Sequence, residues 1–158
     1  MIYQITRVVT LDTITRVFQC KLLNRIIYTN KSLYKMKMID SHPSALFAKF
    51  QMNLSASIFF VGDDFIVAVW MSVVLWLKSL HIGIDSLNDC DIIFGLTQKR
   101  SHWLLLNHII IAGKLVTYHS RLKNILPSLR HLMIKLDHIA IMNNRLKIHE
   151  EKWKPLIN

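Results

Sequence analysis

The sequence predicts a mainly α-helical fold, an irregular small helical domain. Apolar residues recur at three- and four-residue spacing in several separate segments, which is the period of one helix face. No segment alternates apolar and polar residues between hairpin turns, as paired strands would. The 158 residues are 52% hydrophobic with only four glycines and three prolines, which excludes a disordered or low-complexity chain. We therefore expect one core of packed helices.

The first predicted helix covers residues 14–28, where apolar side chains at helical spacing share one side and polar ones lie elsewhere around the helix. Residues 29–32 supply capping side chains before a second, short helix at 33–36, and Pro43 closes this unit. Residues 41–62 follow neither a helical nor a strand period, so no element is predicted there.

The longest apolar run, Phe65 to Leu77, is 13 residues long, whereas a membrane-spanning helix needs about 20. Asp63 and Asp64 precede it and Lys78 follows it. Acids at the N-terminus and a base at the C-terminus of a helix are favoured by the helix dipole. We interpret this run as a buried helix that continues to about Leu80. Gly83 follows it, a residue that tolerates the left-handed conformation common at helix ends.

Three further helices are predicted after this run. A Ser, Asn and Asp cluster within residues 85–96 is suited to capping one short helix. Residues 101–122 form a long, strongly apolar helix that opens at Ser101, and Pro127 interrupts the chain before a last amphipathic helix from Ser128 to Ile148. The apolar side of that helix contains Leu129, Leu132, Leu136, Ile139 and Leu146.

No set of catalytic residues is recognisable. The pair Asp63 and Asp64 lacks the third carboxylate and the hairpin of a polymerase metal site, so a capping role is the better interpretation. The eight histidines lack the spacing of zinc ligands, and we expect them to be scattered surface or interface residues that bind no metal. We expect no enzymatic activity and no cofactor.

Charge divides the chain into three parts. Residues 1–50 contain eight Lys or Arg and two acids, residues 51–97 one and five, and residues 98–158 eleven and three. Basic flanks favour polyanions such as nucleic acid, bound weakly and without sequence specificity, or form a solvated face that keeps an apolar protein soluble. Only Cys20 and Cys90 are present and no secretion signal is visible, so an intracellular location, cytoplasmic or nuclear, is expected.

Residues 18–36 (FQCKLLNRIIYTNKSLYKM) resemble a segment that follows the polymerase core in LINE-type, non-LTR retrotransposon reverse transcriptases. Further likenesses follow at similar intervals: Trp70 and Trp76, the segment 88–95 (NDCDIIFG), the segment 103–110 (WLLLNHII) and Pro127-Ser128-Leu129. The resemblance covers residues 14–148. It implies a zinc-binding-like region with tails at 1–13 and 149–158.

In that family, a Pro-x-Cys-x-x-Cys motif followed by a His and another Cys forms a zinc-binding module. Here Pro43 is followed by Ala45 and Ala48 at the cysteine positions, and Ile58 and Asp63 occupy the other two. The resemblance therefore implies a degenerate knuckle segment at 41–70. Without thiolates and imidazole we expect no metal, and the folding energy that zinc would supply is lost.

The resemblance implies a remnant accessory module of a reverse transcriptase polyprotein whose polymerase core is not among these residues. We expect its ancestral role to be contact with nucleic acid, through basic side chains for phosphates and tyrosines for base stacking. The candidate residues are Lys21, Arg25, Tyr28, Lys31, Tyr34 and Lys35.

Two alternatives stay open at this point. A small membrane-associated protein would use residues 58–77 as an apolar helix, although Asn107, His108 and Lys114 interrupt the other long apolar segment. A free-standing helical interaction domain is equally compatible with the pattern, since exposed helix faces cannot be told from buried ones by period alone.

Overall fold

A computed structural model of the chain describes residues 9–10, 12–23, 64–96, 102–123, 125–145 and 150–157. The predicted mainly helical class is confirmed, since every regular element in these ranges is a helix. In chain order the helices are α1 (Thr13–Leu23), α2 (Asp64–Ser79), α3 (Asp89–Phe94), α4 (Trp103–Leu122), α5 (Leu129–Arg145) and α6 (Glu150–Ile157).

Helix α4 is the centre of the fold. It packs against α1, α5 and α6, and α5 also contacts α2 and α6. Thirteen of the 20 residues of α4 are buried, so the helix is surrounded on nearly all sides. The core also includes Phe18, Trp70, Leu136 and Trp153 from four other helices. A helix this apolar along its length is stable because its neighbours cover it.

Helix α1 begins with a cap that the sequence pattern did not single out. Asp12 Oδ1 accepts a hydrogen bond from the Ile14 amide at 3.1 Å, and Oδ2 accepts from the amide and hydroxyl of Thr15. Partial burial raises the pKa of the Asp12 carboxyl, but these hydrogen bonds lower it by more, so the pKa is below its usual value. The predicted residues 24–28 of this helix, and the second helix at 33–36, lie outside the described residues.

Helix α2 begins as predicted and ends at Ser79, one residue before the predicted Leu80. The left-handed residue after it is His81, with φ 57°, and not Gly83. The His81 amide donates to the Lys78 carbonyl at 3.0 Å and the Ile82 amide to the Leu77 carbonyl at 3.1 Å, which is a Schellman motif. Histidine tolerates this conformation better than most side chains do.

The expectation of a buried α2 is only half right. Ile66, Trp70, Val73 and Leu77 are buried, but Val67, Met71 and Leu75 on another side are exposed. The predicted knuckle segment 41–70 lies outside the described residues up to residue 63, and 64–70 is the regular start of α2.

The short helix predicted within residues 85–96 is confirmed as α3. The Asn88 side chain accepts from the Asp91 amide at 2.8 Å, and the Asp91 side chain accepts from the Asn88 amide at 3.2 Å, a capping box. Gly95 ends the helix at φ 84°, a conformation that suits glycine.

The long apolar helix starts two residues later than predicted, at Trp103, after the left-handed His102, and not at Ser101. Two side chains near the start of this helix form hydrogen bonds with the backbone amide and carbonyl of Leu96 in the preceding loop. Asn107 Oδ1 accepts from the Leu96 amide at 2.8 Å, while the Trp103 indole donates to the Leu96 carbonyl at 2.6 Å. Buried backbone groups are thereby paired.

The described residues of the expected tails pack against the rest of the fold. Val9 and Thr10 are buried, and residues 150–157 form α6, with Trp153 fully buried. The last predicted helix, 128–148, is described to Arg145 as α5. Its predicted apolar side is confirmed for Leu132 and Leu136, which are buried. The final helix was not predicted because residues 150–157 are few and include Pro155, which is unfavourable inside a helix.

Candidate functional site

Of the six residues predicted to contact nucleic acid, Lys21 is the one within the described ranges. It lies exposed in the last turn of α1, between the buried Phe18 and Leu22. The Phe18 ring packs 5.4 Å from that of Tyr118, which fixes α1 on α4. A cation at this end is also favoured by the helix dipole. The other five lie outside the described residues: Arg25, Tyr28, Lys31, Tyr34 and Lys35.

A second group of basic residues lies where α4 ends and α5 begins. Burial lowers the pKa of the His119 imidazole, and the positive charges of Lys135 and Lys123 lower it further. Both lysines are therefore near His119. Lys123 and Arg130 are exposed and Lys135 is half-buried. We call Lys123, Arg130 and Lys135 the α4–α5 basic surface.

Acidic residues concentrate in a different part of the fold. The charged residues between 64 and 96 are Lys78 and four aspartates, which are Asp64, Asp85, Asp89 and Asp91. All five belong to α2, α3 and the loop between them. The charge division seen along the chain is therefore kept in three dimensions, with α2–α3 acidic and the end of α4 and α5 basic.

A buried lysine in α4 ties this helix to α3. Lys114 is fully buried, and its Nζ donates to the Ile93 carbonyl at 2.9 Å. That carbonyl belongs to the last turn of α3, where helix carbonyls lack intrahelical partners. Burial lowers the pKa of the Lys114 ammonium to about 7. The sequence showed Lys114 only as an interruption of an apolar run.

A second buried polar cluster joins the two ends of the chain. His108 Nδ1 lies 2.6 Å from Lys152 Nζ and 3.2 Å from the Val9 carbonyl, and Lys152 Nζ also donates to that carbonyl. Burial, and then the charge of Lys152, lower the pKa of His108 to about 3. Burial lowers the pKa of Lys152 to about 7.

A pKa of about 3 leaves the His108 imidazole neutral at pH 7. The Lys152 amine is a donor, so its short contact with Nδ1 suits the tautomer in which Nδ1 accepts and the ring proton lies on Nε2. Among the described residues, nothing accepts a hydrogen bond from His108 Nε2 or from Trp153 Nε1, whose ring packs edge-on at 4.9 Å. Of the two predicted places for the histidines, surface or interface, His108 occupies the second, since it is buried between α4 and α6.

The described residues include no group of three or more His, Cys, Asp or Glu side chains able to hold a metal ion. The metal-ligand positions 45, 48, 58 and 63 lie outside the described ranges. Cys20 and Cys90 are both exposed and are not joined to each other. Within the same ranges, no helix has both the length and the apolar character needed to cross a membrane.

Fold and charge together define a class: a mainly helical protein with an acidic α2–α3 region and a separate basic surface. No family model matches this sequence, no curated protein is significantly similar to it, and no solved structure matches the chain. The likeness to the retrotransposon region therefore rests on the sequence motifs alone.

Proposed function

We propose that this chain is a remnant accessory module of a retrotransposon reverse transcriptase that binds nucleic acid weakly and without sequence specificity, and catalyses no reaction. The segregation of charge carries the proposal. Lys123, Arg130 and Lys135 lie on two consecutive helices, whereas the charged residues of α2–α3 are mostly acidic. Phosphate groups would be attracted to the first region and repelled from the second.

The physical basis of such binding is the release of counterions from the polyanion. Each phosphate neutralised by a lysine or arginine on duplex DNA contributes about −0.9 to the slope of log affinity against log salt. Neutralising the α4–α5 basic surface should therefore flatten that slope by about 2.7 if all three residues make contacts. Base-specific readout would show instead as a preference for one sequence.

The test is fluorescence anisotropy with labelled single-stranded RNA, single-stranded DNA and duplex DNA over a range of salt concentrations. One variant replaces Lys123, Arg130 and Lys135 with glutamine, and a second does the same for Lys21, Arg25, Lys31 and Lys35. Each should weaken binding at low salt, and the slopes show which group makes more contacts.

A matched control changes net charge outside the basic surface. The double variant Asp85→Asn, Asp89→Asn adds two units of positive charge in the α2–α3 region. Its affinity should stay close to that of the wild type, because charge distant from the contact is screened. If this variant instead binds nucleic acid more tightly than the wild type, net charge alone governs binding. No binding to any of the three polymers at about 20 mM salt, where counterion release is strongest, would end the proposal.

A further inference from the structure

Helix α2 is apolar on two sides. One side packs into the core through Ile66, Trp70, Val73 and Leu77. Another side presents Val67, Met71 and Leu75, which are 41%, 62% and 66% exposed. Contiguous exposed apolar residues on a helix are characteristic of an interaction surface. We call the exposed side, from Asp64 to Lys78, the outer face of α2.

The outer face has a symmetric pattern. Asp64, Val67, Met71, Leu75 and Lys78 follow one another at intervals of three, four, four and three residues, and all five are exposed. At 100° per residue they fall within about 80° of the helix circumference. Reversing the direction of the helix about Met71 places each apolar residue on an apolar residue and the acid on the base.

The charges at the two ends cannot neutralise each other within one chain. Fourteen residues separate Asp64 from Lys78, which corresponds to about 21 Å along a helix. Each is paired with the opposite charge if a second α2 lies antiparallel to the first. On a chain with a formal charge of +10, the outer face itself carries one acid and one base, so its own charges are balanced.

A groove beside the outer face supplies space for side chains from a second copy. Its volume is about 340 Å³, and four residues of the outer face line it: Val67, Met71, Leu75 and Lys78. The other lining residues are Trp70 and Val74 of α2, Leu87 and Ile92, and the polar residues Asp85, Ser86 and Asp89. Apolar knobs entering such a groove give the packing expected between helices.

We propose that two copies of this chain associate through their outer faces of α2, antiparallel, about a twofold axis that passes Met71. Val67 then faces the partner's Leu75, and Asp64 faces the partner's Lys78. This is an isologous contact, in which the same surface serves both copies. It leaves the α4–α5 basic surface of each copy on other helices.

Sedimentation equilibrium of the full chain over a range of protein concentrations tests the proposal. The wild type should show a monomer–dimer equilibrium. Met71→Glu places two carboxylates together on the axis and should weaken association at least about tenfold, because like charges at close range are strongly unfavourable. Ile141→Glu changes an equally apolar residue of α5 that is 54% exposed and should leave association unchanged.

Charge reversal tests the antiparallel direction. Asp64→Lys alone and Lys78→Asp alone each set like charges against each other in both pairs and should weaken association about tenfold. The double variant Asp64→Lys, Lys78→Asp restores both pairs and should recover the wild-type constant. A mixture of the two single variants should form a heterodimer in preference to either homodimer.

Circular dichroism of each variant separates loss of association from loss of folding. A wild-type chain that stays monomeric at all concentrations would overturn the proposal. Dissociation by Ile141→Glu, with Met71→Glu behaving as wild type, would place the interface on α5 and also overturn it. A double reversal that stays folded but does not recover association would refute the antiparallel arrangement.

Discussion

Lys114, Lys152 and His108 are buried ionisable residues within an apolar core, and each is more stable neutral than charged. Lys114 donates to the α3 end, and Lys152 donates to His108 and the Val9 carbonyl. The hydrogen bonds keep these polar atoms paired, but they do not remove the cost of burying a positive charge. The protonation state of these residues therefore affects the stability of the whole fold.

Stability should rise from neutral to mildly alkaline pH. The two lysines have a pKa of about 7 when folded against 10.5 in the unfolded chain, so the unfolded chain binds more protons between these values. The free energy of unfolding then increases with pH, by up to about 1.4 kcal/mol per pH unit for each lysine. His108 acts with the same sign between pH 3 and 6.5.

Urea unfolding at pH 7, 8 and 9 measures this slope. Lys114→Met should reduce the slope by about half, whereas Lys123→Met, on the exposed α4–α5 basic surface, should not change it. The range stops below pH 10 because burial raises the pKa of Tyr118, which opposes the trend when that phenol ionises. A wild-type stability that is flat or falls across this range would contradict the assigned burial of the lysines.

At the scale of elements, the contact between α2 and α4 depends on the absence of a side chain at one position. A Cβ built on Gly113 would lie 2.7 Å from Cη2 of Trp70 and 3.1 Å from its Cζ3. The indole of Trp70 is itself buried. Glycine at this position of α4 therefore lets the Trp70 ring lie directly on the helix backbone.

Gly113→Ala should destabilise the protein by about 1–3 kcal/mol through overpacking, although alanine favours a helix by about 1 kcal/mol over glycine. Thermal or urea unfolding checks the sign. Gly83→Ala is the matched control, since an added Cβ at Gly83 meets nothing within 4 Å, and it should be neutral or slightly stabilising.

A double-mutant cycle identifies the cause. Trp70→Leu removes the ring, so Gly113→Ala should cost less in that background than in the wild type. Equal costs in the two backgrounds would show that the contact with Trp70 is not what selects glycine.

At the scale of the whole molecule, buried residues near the two ends of the described chain are joined by a polar cluster. Val9 and Trp153 are 1% and 0% exposed, and Lys152 bonds to the Val9 carbonyl across 143 positions of sequence. Contacts of this length couple the ends to α4 through His108. The last helix is therefore expected to unfold with the rest of the protein and not before it.

Removal of residues 150–158, or the single change Trp153→Ala, should lower the free energy of unfolding by about 3–5 kcal/mol, as expected for a fully buried tryptophan. Urea unfolding followed by circular dichroism measures both. Lys154→Ala, an exposed neighbour on α6, should change stability by no more than about 0.5 kcal/mol. A truncated chain as stable as the wild type would restore the interpretation of this segment as a tail.

For the candidate site, the charge count of residues 98–158 already contained the signal for the α4–α5 basic surface. The predicted contacts are instead Lys21 and its neighbours, because the family resemblance is most distinctive at residues 18–36. Proximity of Lys135 to His119 could not be predicted, since it depends on how α5 packs against α4.

Features that depend on near neighbours could be predicted from the sequence: the helical class, the start of α2 at Asp63 and Asp64, a capping cluster of Ser, Asn and Asp before α3, and the separation of acidic from basic segments. Local spacing, caps and charge all act within a few residues, so they can be read along the chain.

Only the tertiary structure decided which side chains are buried. It placed Lys114 and His108 in the core, left Val67, Met71 and Leu75 exposed, and brought Lys152 to His108 across 44 positions. The physical reason is that burial depends on which helices meet and on which face of each. The apolar residues of a helix recur with the same spacing whether other helices pack against one of its sides or against two.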